Sequence, residues 1–138
     1  MNLIRWIEIP ANNFDRALSF YTHVFDLEIE KKSFNGIPHG IFTINSGTLS
    51  GAIVKCDHLP VQNAGPVLFF NVISIDETLE KIRHSSGKIE KEKTLIVNKP
   101  SDGVMVEPIP KTFIDNHKGF YALFRDSEGN KMALYSHS

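Results

Sequence analysis

Glu8 is the residue of this sequence whose type and setting most clearly permit chemistry. It alternates with Ile7 and Ile9 in the segment Leu3 to Pro10, a pattern that predicts a strand, and Trp6 shares its parity. A carboxyl group in an apolar pocket can be tuned toward neutral pH and act as a general base. The alternative is an exposed or ion-paired Glu8 beside a core Trp6. The spacing predicts that an aromatic ring and a carboxylate lie on one side of this strand.

The other reactive residue types form no recognisable catalytic motif. The six histidines, at positions 23, 39, 58, 84, 117 and 137, contain no HxH or HxxxH pair. We expect His39 and His117 in loops, as solvated residues within reach of a pocket mouth. Cys56 is close in sequence to His58, but no third orienting group is evident. No GKS or GKT follows a glycine-rich segment, which argues against a phosphate-binding loop.

Composition limits the classes of partner and the compartment. The 138 residues fit one domain, and 15 Lys and Arg against 16 Asp and Glu leave no basic surplus for binding nucleic acid. The single cysteine excludes an internal disulfide and is typical of a reducing compartment. No apolar run approaches the roughly 20 residues of a membrane helix, and the first residues lack the apolar stretch of a signal peptide. We therefore expect a cytoplasmic location, with neither membrane nor nucleic acid as partner.

Two segments share a pattern of strand followed by capped helix. Asn12 or Asn13 is a candidate N-cap after the first strand, and Ser74 begins a capping box after the strand predicted over Val67 to Ile73. Gly87 is expected as the left-handed C-cap of the second helix. The apolar positions of the two helices match at a constant offset of 61 residues: Phe14 with Ile75, Leu18 with Leu79, and Tyr21 with Ile82. Such an offset indicates two copies of one supersecondary unit.

Several further strands complete each copy. We expect one domain over 1–138, built from a first module over 1–58 and a second over 66–138. The alternative is two coincidentally similar strand–helix units in an ordinary α+β domain. Lys99 to Lys118 is interpreted as a long excursion over one mouth of the pocket, and Asn35 to Pro38 as a turn. The remaining predicted strands are Leu27 to Ser33, Ile41 to Ile44, Ala52 to Lys55, Lys88 to Val97, Gly119 to Arg125 and Lys131 to Ser136.

Three segments carry a family resemblance. Ile7 to Pro10 followed by Arg16 to Tyr21 is similar to the opening of glyoxalase/bleomycin-resistance/dioxygenase (vicinal oxygen chelate) proteins. Ser50 to Val54 is similar to the strand that closes the first module of that family, and Tyr121 to Asn130 resembles its closing hairpin, with Ser127 where a proline is usual. The resemblance implies an α+β fold in which two βαβββ-like modules form a curved mixed sheet around a central cup.

The same resemblance implies where metal ligands would stand. Metalloenzymes of the family hold a divalent ion with a His or Glu from each of four strands facing the cup. The matched positions fall on Trp6, near Val67, on Ala133, and on Gly51 or Ala52. None of these side chains can coordinate a metal. We therefore expect that the family's metal site has been lost and that no cofactor is required.

Without a metal, the cup is expected to be aromatic with few polar groups, a composition that suits small organic molecules. Phe69 and Asn71 repeat the parity of Trp6 and Glu8 in the second module. The predicted ligand-binding residues are Trp6, Glu8, Phe69 and Asn71, with a hydroxyl from Tyr121 or Tyr135. For each of these residues a purely structural role is the alternative.

Three functions follow as hypotheses. The leading one is a glyoxalase/bleomycin-resistance-like protein that binds a small organic ligand in the aromatic cup to sequester or sense it. The second is an enzyme, a lyase, isomerase or dioxygenase with Glu8 as base or in a relocated metal site. The third is a partner domain whose outer surface matters. A homodimer is expected, because edge strands of an open cup are natural pairing surfaces.

Overall fold

The fold consists of two βαβββ modules in one chain. The computed structural model describes residues 3–43, 50–58, 65–97, 111–112 and 114–138. The first module contains β1 (Trp6–Ala11), α1 (Phe14–Phe25), β2 (Ile29–Phe34), β3 (Ile37–Phe42) and β4 (Ser50–Lys55). The second contains β5 (Leu68–Asn71), α2 (Ile75–Arg83), β6 (Lys88–Leu95), β7 (Phe120–Arg125) and β8 (Lys131–Ser136). Most of the predicted excursion from Lys99 to Lys118 lies outside the described residues.

Both modules have the same strand order, so the predicted α+β fold is confirmed. The strands form two four-stranded mixed sheets, β1-β4-β3-β2 and β5-β8-β7-β6. The first and last strands of each module are parallel neighbours, and the other pairs are antiparallel. The helix of each module follows its first strand and covers one face of its sheet. The opposite face of each sheet, here called the cup face, is free of helices within the described residues.

Both helices begin as the sequence predicts, but the second ends differently. Asn13 caps α1 by accepting a hydrogen bond from the Arg16 amide, and Ser74 caps α2 through the Glu77 amide. The predicted left-handed C-cap at Gly87 is wrong, because α2 ends at Arg83 with His84 as its C-cap. Gly87 serves packing instead: a Cβ there would lie 2.6 Å from a ring carbon of Phe20.

One strand boundary also differs from the prediction. The segment Asn35 to Pro38 was predicted to be a turn, with the next strand beginning at Ile41. In the structure the turn is confined to Asn35 and Gly36, both at positive φ, and β3 already begins at Ile37. Pro38 is accommodated because β3 pairs with β2 from Ile37 onward and with β4 only from His39. The earlier start places His39 inside a strand.

A single hydrophobic core joins the modules between the helices and the sheets. It contains buried residues of α1, α2 and strands of both sheets. Aromatic rings cross from one module to the other: Phe25 of α1 lies 4.6 Å from Phe70 of β5, centroid to centroid, and Phe20 lies 6.3 Å from Phe124 of β7. Each such ring, when fully buried, contributes about 1.5–3 kcal/mol through removal of apolar surface from water.

The turn between β7 and β8 holds the start of α1 through Glu128. Its carboxylate accepts from the Asn13 amide at 2.6 Å and from Arg16 Nε at 2.7 Å, and the Glu128 side chain is fully buried. Burial by itself would raise the pKa of Glu128, but the hydrogen bonds from Arg16, Asn13 and Ser127 outweigh it and hold that pKa below its ordinary value. A second-module residue thereby stabilises the first turn of a first-module helix.

The same turn contains a second buried carboxylate, Asp126. It accepts from Tyr21 Oη at 2.7 Å and from Asn130 Nδ2 at 3.0 Å, while that amide also donates to the Pro10 carbonyl at 2.8 Å. Burial raises the pKa of Asp126, and the hydrogen bonds from Tyr21 and Asn130 offset this only in part. Residues expected simply to form a hairpin turn thus also connect the two modules.

Candidate functional site

Strand parity divides β1 between the core and the cup face. Ile9 and Ala11 are buried in the core, whereas Trp6 and Glu8 are exposed on the other side. Successive side chains of a strand point to opposite faces, so Trp6 and Glu8 share the cup face as predicted from their spacing. Trp6, with 43% of its surface exposed, is accessible to a ligand in solution.

Trp6 and Glu8 belong to an open hollow on the cup face of the first module, with a volume of about 470 Å³. Its walls come from β1, the β2–β3 hairpin and β4. Of the seven described residues that line it, five are apolar, aromatic or histidine, and Glu8 is the one carboxylate. The lining residues are Trp6, Glu8, Phe34, Asn35, Ile37, His39 and Val54.

Glu8 is oriented by two neighbours. Trp6 Nε1 donates to Glu8 Oε2 at 3.3 Å, and His39 Nε2 lies 3.7 Å from the same oxygen. The Glu8 side chain is 53% exposed, whereas that of His39 is only 11% exposed. The carboxylate is therefore held in place at the hollow while remaining open to solvent.

His39 is the functional candidate for which sequence reasoning predicted the wrong environment. It was expected in a solvated loop, but it lies within β3, paired with Lys32 of β2 and Val54 of β4. Its Nδ1 lies 2.9 Å from the Ile37 carbonyl, which only accepts, so Nδ1 carries a proton and donates. In the neutral ring Nε2 is then an acceptor beside Glu8. A strand beginning at Ile37 would have predicted the cup face for His39 by parity alone.

The predicted site residues of the second module lie in one region of the other sheet. Cross-strand register pairs Asn71 with Tyr135 and Tyr135 with Tyr121, and it pairs Phe69 with Ala133. Phe69 is 51% exposed at the edge strand. Within the described residues, no hydrogen bond or ring contact joins this group to Trp6 or Glu8. The structure thus brings the six predicted residues together as two groups, one on each sheet.

The hydroxyl of Tyr135 is already engaged in a polar cluster that the sequence did not reveal. Tyr135 Oη donates to Asp115 Oδ2 at 2.9 Å, and His137 Nε2 lies 2.6 Å from the same oxygen. Thr112 Oγ1 donates to Asp115 Oδ1 at 3.1 Å. The hydrogen bond from His137, followed by those from Tyr135, the His117 amide and Thr112, holds the pKa of Asp115 well below its ordinary value. Two members of this cluster were named from the sequence, Tyr135 as a source of a hydroxyl and His117 as a loop residue near a pocket mouth, but Asp115, which joins them, was not.

A larger cavity of about 550 Å³ lies where the C-terminal end of α1 meets β5 and the start of α2. Phe69 and Asn71 contribute to it, together with Ile7, Phe25 and largely apolar neighbours. Its lining also includes Phe42 and Ser50. Those two residues flank the segment 44–49, which lies outside the described residues.

The positions matched to family metal ligands do not fit a metal. Ala52 pairs with Glu8 in β4 and shares its face, whereas a Cβ on Gly51 would lie 2.5 Å from Ile7 on the core side. The family position in β4 is therefore Ala52, which has no donor atom. Trp6, Val67 and Ala133 offer none that suits a divalent ion either. In the described part of the chain, no group of three or more His, Cys, Asp or Glu residues could hold a metal ion.

Comparisons with known proteins agree with this architecture. A protein of Didymella fabae, named as a glyoxylase-like domain-containing protein, is 26% identical over 136 residues, covering 95% of this chain and 91% of its own length. The manganese(II)- and sulfate-complexed fosfomycin resistance protein FosX of Listeria monocytogenes superposes with a TM-score of 0.63 at 15% identity, over 99% of this chain and 93% of FosX.

Two further structures share the fold. The E144Q mutant of glyoxalase I from Zea mays superposes with a TM-score of 0.67 at 14% identity, over 96% of this chain and 44% of that protein. A glyoxylase/bleomycin resistance protein/dioxygenase domain of Frankia sp. EAN1pec gives 0.65 at 14% identity, over 99% and 98% of the two chains. The family model matches residues 3–134. The chain therefore belongs to the Glyoxalase/Bleomycin resistance protein/Dioxygenase superfamily.

Proposed function

We propose that this protein binds a small organic ligand on its cup face without the metal ion of related enzymes. The observation that carries the proposal is the hollow of about 470 Å³, in which an exposed indole, a second aromatic ring and an oriented carboxylate are available together. Apolar and aromatic walls with a few placed polar groups are typical of sites for small molecules.

The chemistry of the matched ligand positions supports metal independence. FosX, which has the same fold, was crystallised with manganese(II). In this chain the positions that the family resemblance assigns to metal ligands fall on Trp6, on Ala52, near Val67 and on Ala133. Trp6 instead donates a hydrogen bond to Glu8. An indole N–H is a donor only and cannot serve as a metal ligand.

Trp6 makes the proposal directly testable, because it is the only tryptophan of the chain. A small-molecule library is first screened by thermal shift, and hits are titrated while Trp6 fluorescence is followed. Saturable change in fluorescence together with a raised melting temperature supports binding at the hollow. Hits that stabilise the protein without altering Trp6 emission place the ligand elsewhere and contradict the assignment to this hollow. A screen without any hit supports the third hypothesis, a domain that acts through its outer surface.

The second candidate function is an enzyme of the superfamily, and one observation favours it. His39 Nε2 lies 3.7 Å from Glu8 Oε2, so a base and a proton-accepting ring stand side by side in the hollow. Glu8 would act as general base in a lyase or isomerase reaction, or contribute to a relocated metal site.

Metal content separates the two candidates. Tag-free, chelator-treated protein is titrated calorimetrically with Ni²⁺, Zn²⁺, Mn²⁺ and Fe²⁺, after elemental analysis of the protein as purified. One tightly bound ion per chain that is lost in Glu8→Gln favours the enzyme with a relocated site. Absence of binding above background favours the metal-independent binding protein.

We further propose a homodimer and a cytoplasmic location. Several large apolar side chains are exposed outside the hollow, including Leu3 and Ile4 before β1 and Ile73 after β5, and such surface favours association. The outer edge strand β2 carries Lys31 and Lys32, which disfavours pairing through that edge. Sedimentation velocity of wild type and Ile73→Lys tests the dimer, and cell fractionation tests the location. Among the described residues no helix is long and apolar enough to cross a membrane.

A further inference from the structure

The charge of the hollow comes from Glu8. Of the described residues that line the hollow, only Glu8 and His39 are ionisable. The nearest cation in register, Lys32, is paired with Glu30 at 3.8 Å, and Lys55 of β4 is paired with Asp57 at 3.3 Å. No Lys or Arg in the described part of the chain forms an ion pair with Glu8. Within the described residues, the hollow therefore presents a carboxylate that no Lys or Arg neutralises.

The two ionisable residues of the hollow, Glu8 and His39, both present acceptors to a ligand. Within the described residues Glu8 Oε1 accepts no hydrogen bond, so one carboxylate oxygen is free. His39 uses its Nδ1 proton on the Ile37 carbonyl, which leaves Nε2 of the neutral ring as an acceptor. Nε2 and Glu8 Oε2 are 3.7 Å apart. Two N–H groups of one ammonium or guanidinium can reach both atoms at the ordinary distance of about 2.9 Å.

The walls around these acceptors suit the body of an organic cation. Trp6, Phe34 and Ile37 are 43%, 51% and 44% exposed, so each offers apolar surface that a ligand would cover. Aromatic rings beside a carboxylate attract cations through their negative faces as well as through burial. An anionic ligand would instead meet the Glu8 charge without a compensating Lys or Arg among the described lining residues.

We propose that the hollow selects a small organic cation: a primary ammonium or guanidinium group attached to an apolar or aromatic body. The cationic group bridges Glu8 and neutral His39, and the body lies against Trp6, Phe34 and Ile37. The inference rests on the proposed function, because it names the ligand class of the same hollow. It extends that function, because apolar walls alone would not select a positively charged ligand over a neutral one.

A series of matched probes tests the proposal on the full chain. Binding of 2-phenylethylammonium, 2-phenylethanol and phenylacetate is followed by Trp6 fluorescence and calorimetry at about pH 8, where an ordinary histidine is neutral. We expect the ammonium to bind at least about tenfold more tightly than the alcohol, because a hydrogen bond to a charged partner is about twice as strong as a neutral one. Phenylacetate is expected to bind more weakly than the alcohol.

Two variants test whether Glu8 causes the preference for the ammonium probe. Glu8→Gln keeps the size of the side chain and removes its charge, so the affinity for the ammonium should fall about tenfold or more while that for the alcohol changes less than about twofold. Glu28→Gln makes the same change at an exposed glutamate outside the hollow, which forms no ion pair within the described residues, and should leave both affinities unchanged. Far-ultraviolet circular dichroism verifies that both variants are folded.

The outcomes distinguish selectivity for a cation from the binding of any organic ligand in the hollow. Equal binding of all three probes at Trp6 overturns cation selectivity but supports an organic-ligand site. Preference for phenylacetate also overturns cation selectivity. Failure of every probe to perturb Trp6 overturns the cation proposal, and the library screen then decides independently whether the hollow binds any ligand.

Discussion

The two modules share one βαβββ topology but use their polar side chains differently. In the first, Glu8 and His39 stand beside an open hollow, and Glu8 retains a carboxylate oxygen without a hydrogen bond among the described residues. In the second, Tyr135 and Asp115 are hydrogen-bonded to each other, and Glu128 is fully buried with its acceptors in use. The main difference is that these polar groups are open to a ligand in the first module, whereas in the second they are hydrogen-bonded within the protein.

This difference indicates a division of roles. Polar groups whose hydrogen bonds are made inside the protein contribute to folding, and losing a partner leaves them unsatisfied at a cost. Polar groups that face an open hollow contribute little to folding and remain available to a ligand. Substitutions in the second module should therefore lower stability, and those at the hollow should alter binding.

The largest contrast is expected from one chemical change made in each module. Glu128→Gln removes the charge that accepts from Arg16 and Asn13, and should lower the free energy of unfolding by about 2–3 kcal/mol. Glu8→Gln should change it by less than about 0.5 kcal/mol, because that carboxylate is half-exposed. Equilibrium urea unfolding measures both. A loss at Glu8 that equals the loss at Glu128 would contradict the division of roles.

A smaller contrast is expected between two tyrosines that face each other across β7 and β8. Tyr135→Phe removes the hydrogen bond to Asp115 and should cost about 1 kcal/mol. Tyr121→Phe is the matched control, because the Tyr121 ring contacts Lys91 and its hydroxyl has no hydrogen bond in the described part of the chain. Its effect should be within about 0.5 kcal/mol. The same unfolding measurement applies, and equal effects of the two variants would show that the Asp115 cluster does not stabilise the fold.

Lowering the pH should reduce the contribution of Glu128 to the free energy of unfolding. The pKa of Glu128 is lower in the folded chain than its ordinary value of 4.5, so the unfolded chain takes up the proton first as the pH falls. The stability that Glu128 contributes is complete above that ordinary value and is lost as the pH falls through the lowered one. The raised pKa of Asp126 acts in the opposite direction.

The pH dependence is measured by urea unfolding of wild type and Glu128→Gln at about pH 6, 4 and 3. The difference between the two proteins should shrink steadily as the pH falls. Because Asp126 is present in both proteins, its contribution cancels in that difference. A gap that stays constant over this range would show that Glu128 does not titrate with a lowered pKa.

The smallest effect on stability is expected from Trp6→Phe. The ring is 43% exposed, so its free energy of unfolding should stay within about 0.5 kcal/mol of wild type. Binding in the hollow should weaken several-fold, because the hydrogen bond that orients Glu8 is lost. Calorimetry measures the affinity, since this variant lacks the fluorescent reporter. Unchanged affinity would remove Trp6 from the site.

Elements with a local signal were predictable from the sequence. Apolar spacing and capping residues identified both helices, and alternation placed Trp6 and Glu8 on one face. Contacts between residues far apart in the chain were not predictable. Asp126, Glu128 and Asn130 carry an ordinary turn signature, and nothing in it indicates partners more than 100 positions away at Asn13 or Arg16.

The site was predicted less completely than the fold, for a related reason. Pro38 is a local turn signal, and for that reason the strand that places His39 next to Glu8 was not predicted to begin before Ile41. Pairing with β2 overrides that local preference, and pairing is a property of the sheet rather than of the segment. The bound ligand, its charge and the dimer stay predictions.

The contacts of Glu128 and Asn130 also constrain how the chain reaches its native state during synthesis. The amide of Asn13 and the carbonyl of Pro10 are synthesised 115 and 120 residues before their partners Glu128 and Asn130. Until these partners have been synthesised, Arg16 lacks its ion pair with Glu128, and Phe20 lacks its ring contact with Phe124. Contacts between residues so far apart in the chain slow folding relative to a protein with mainly local contacts. Apolar surface of the first module that stays exposed during synthesis is a binding site for chaperones.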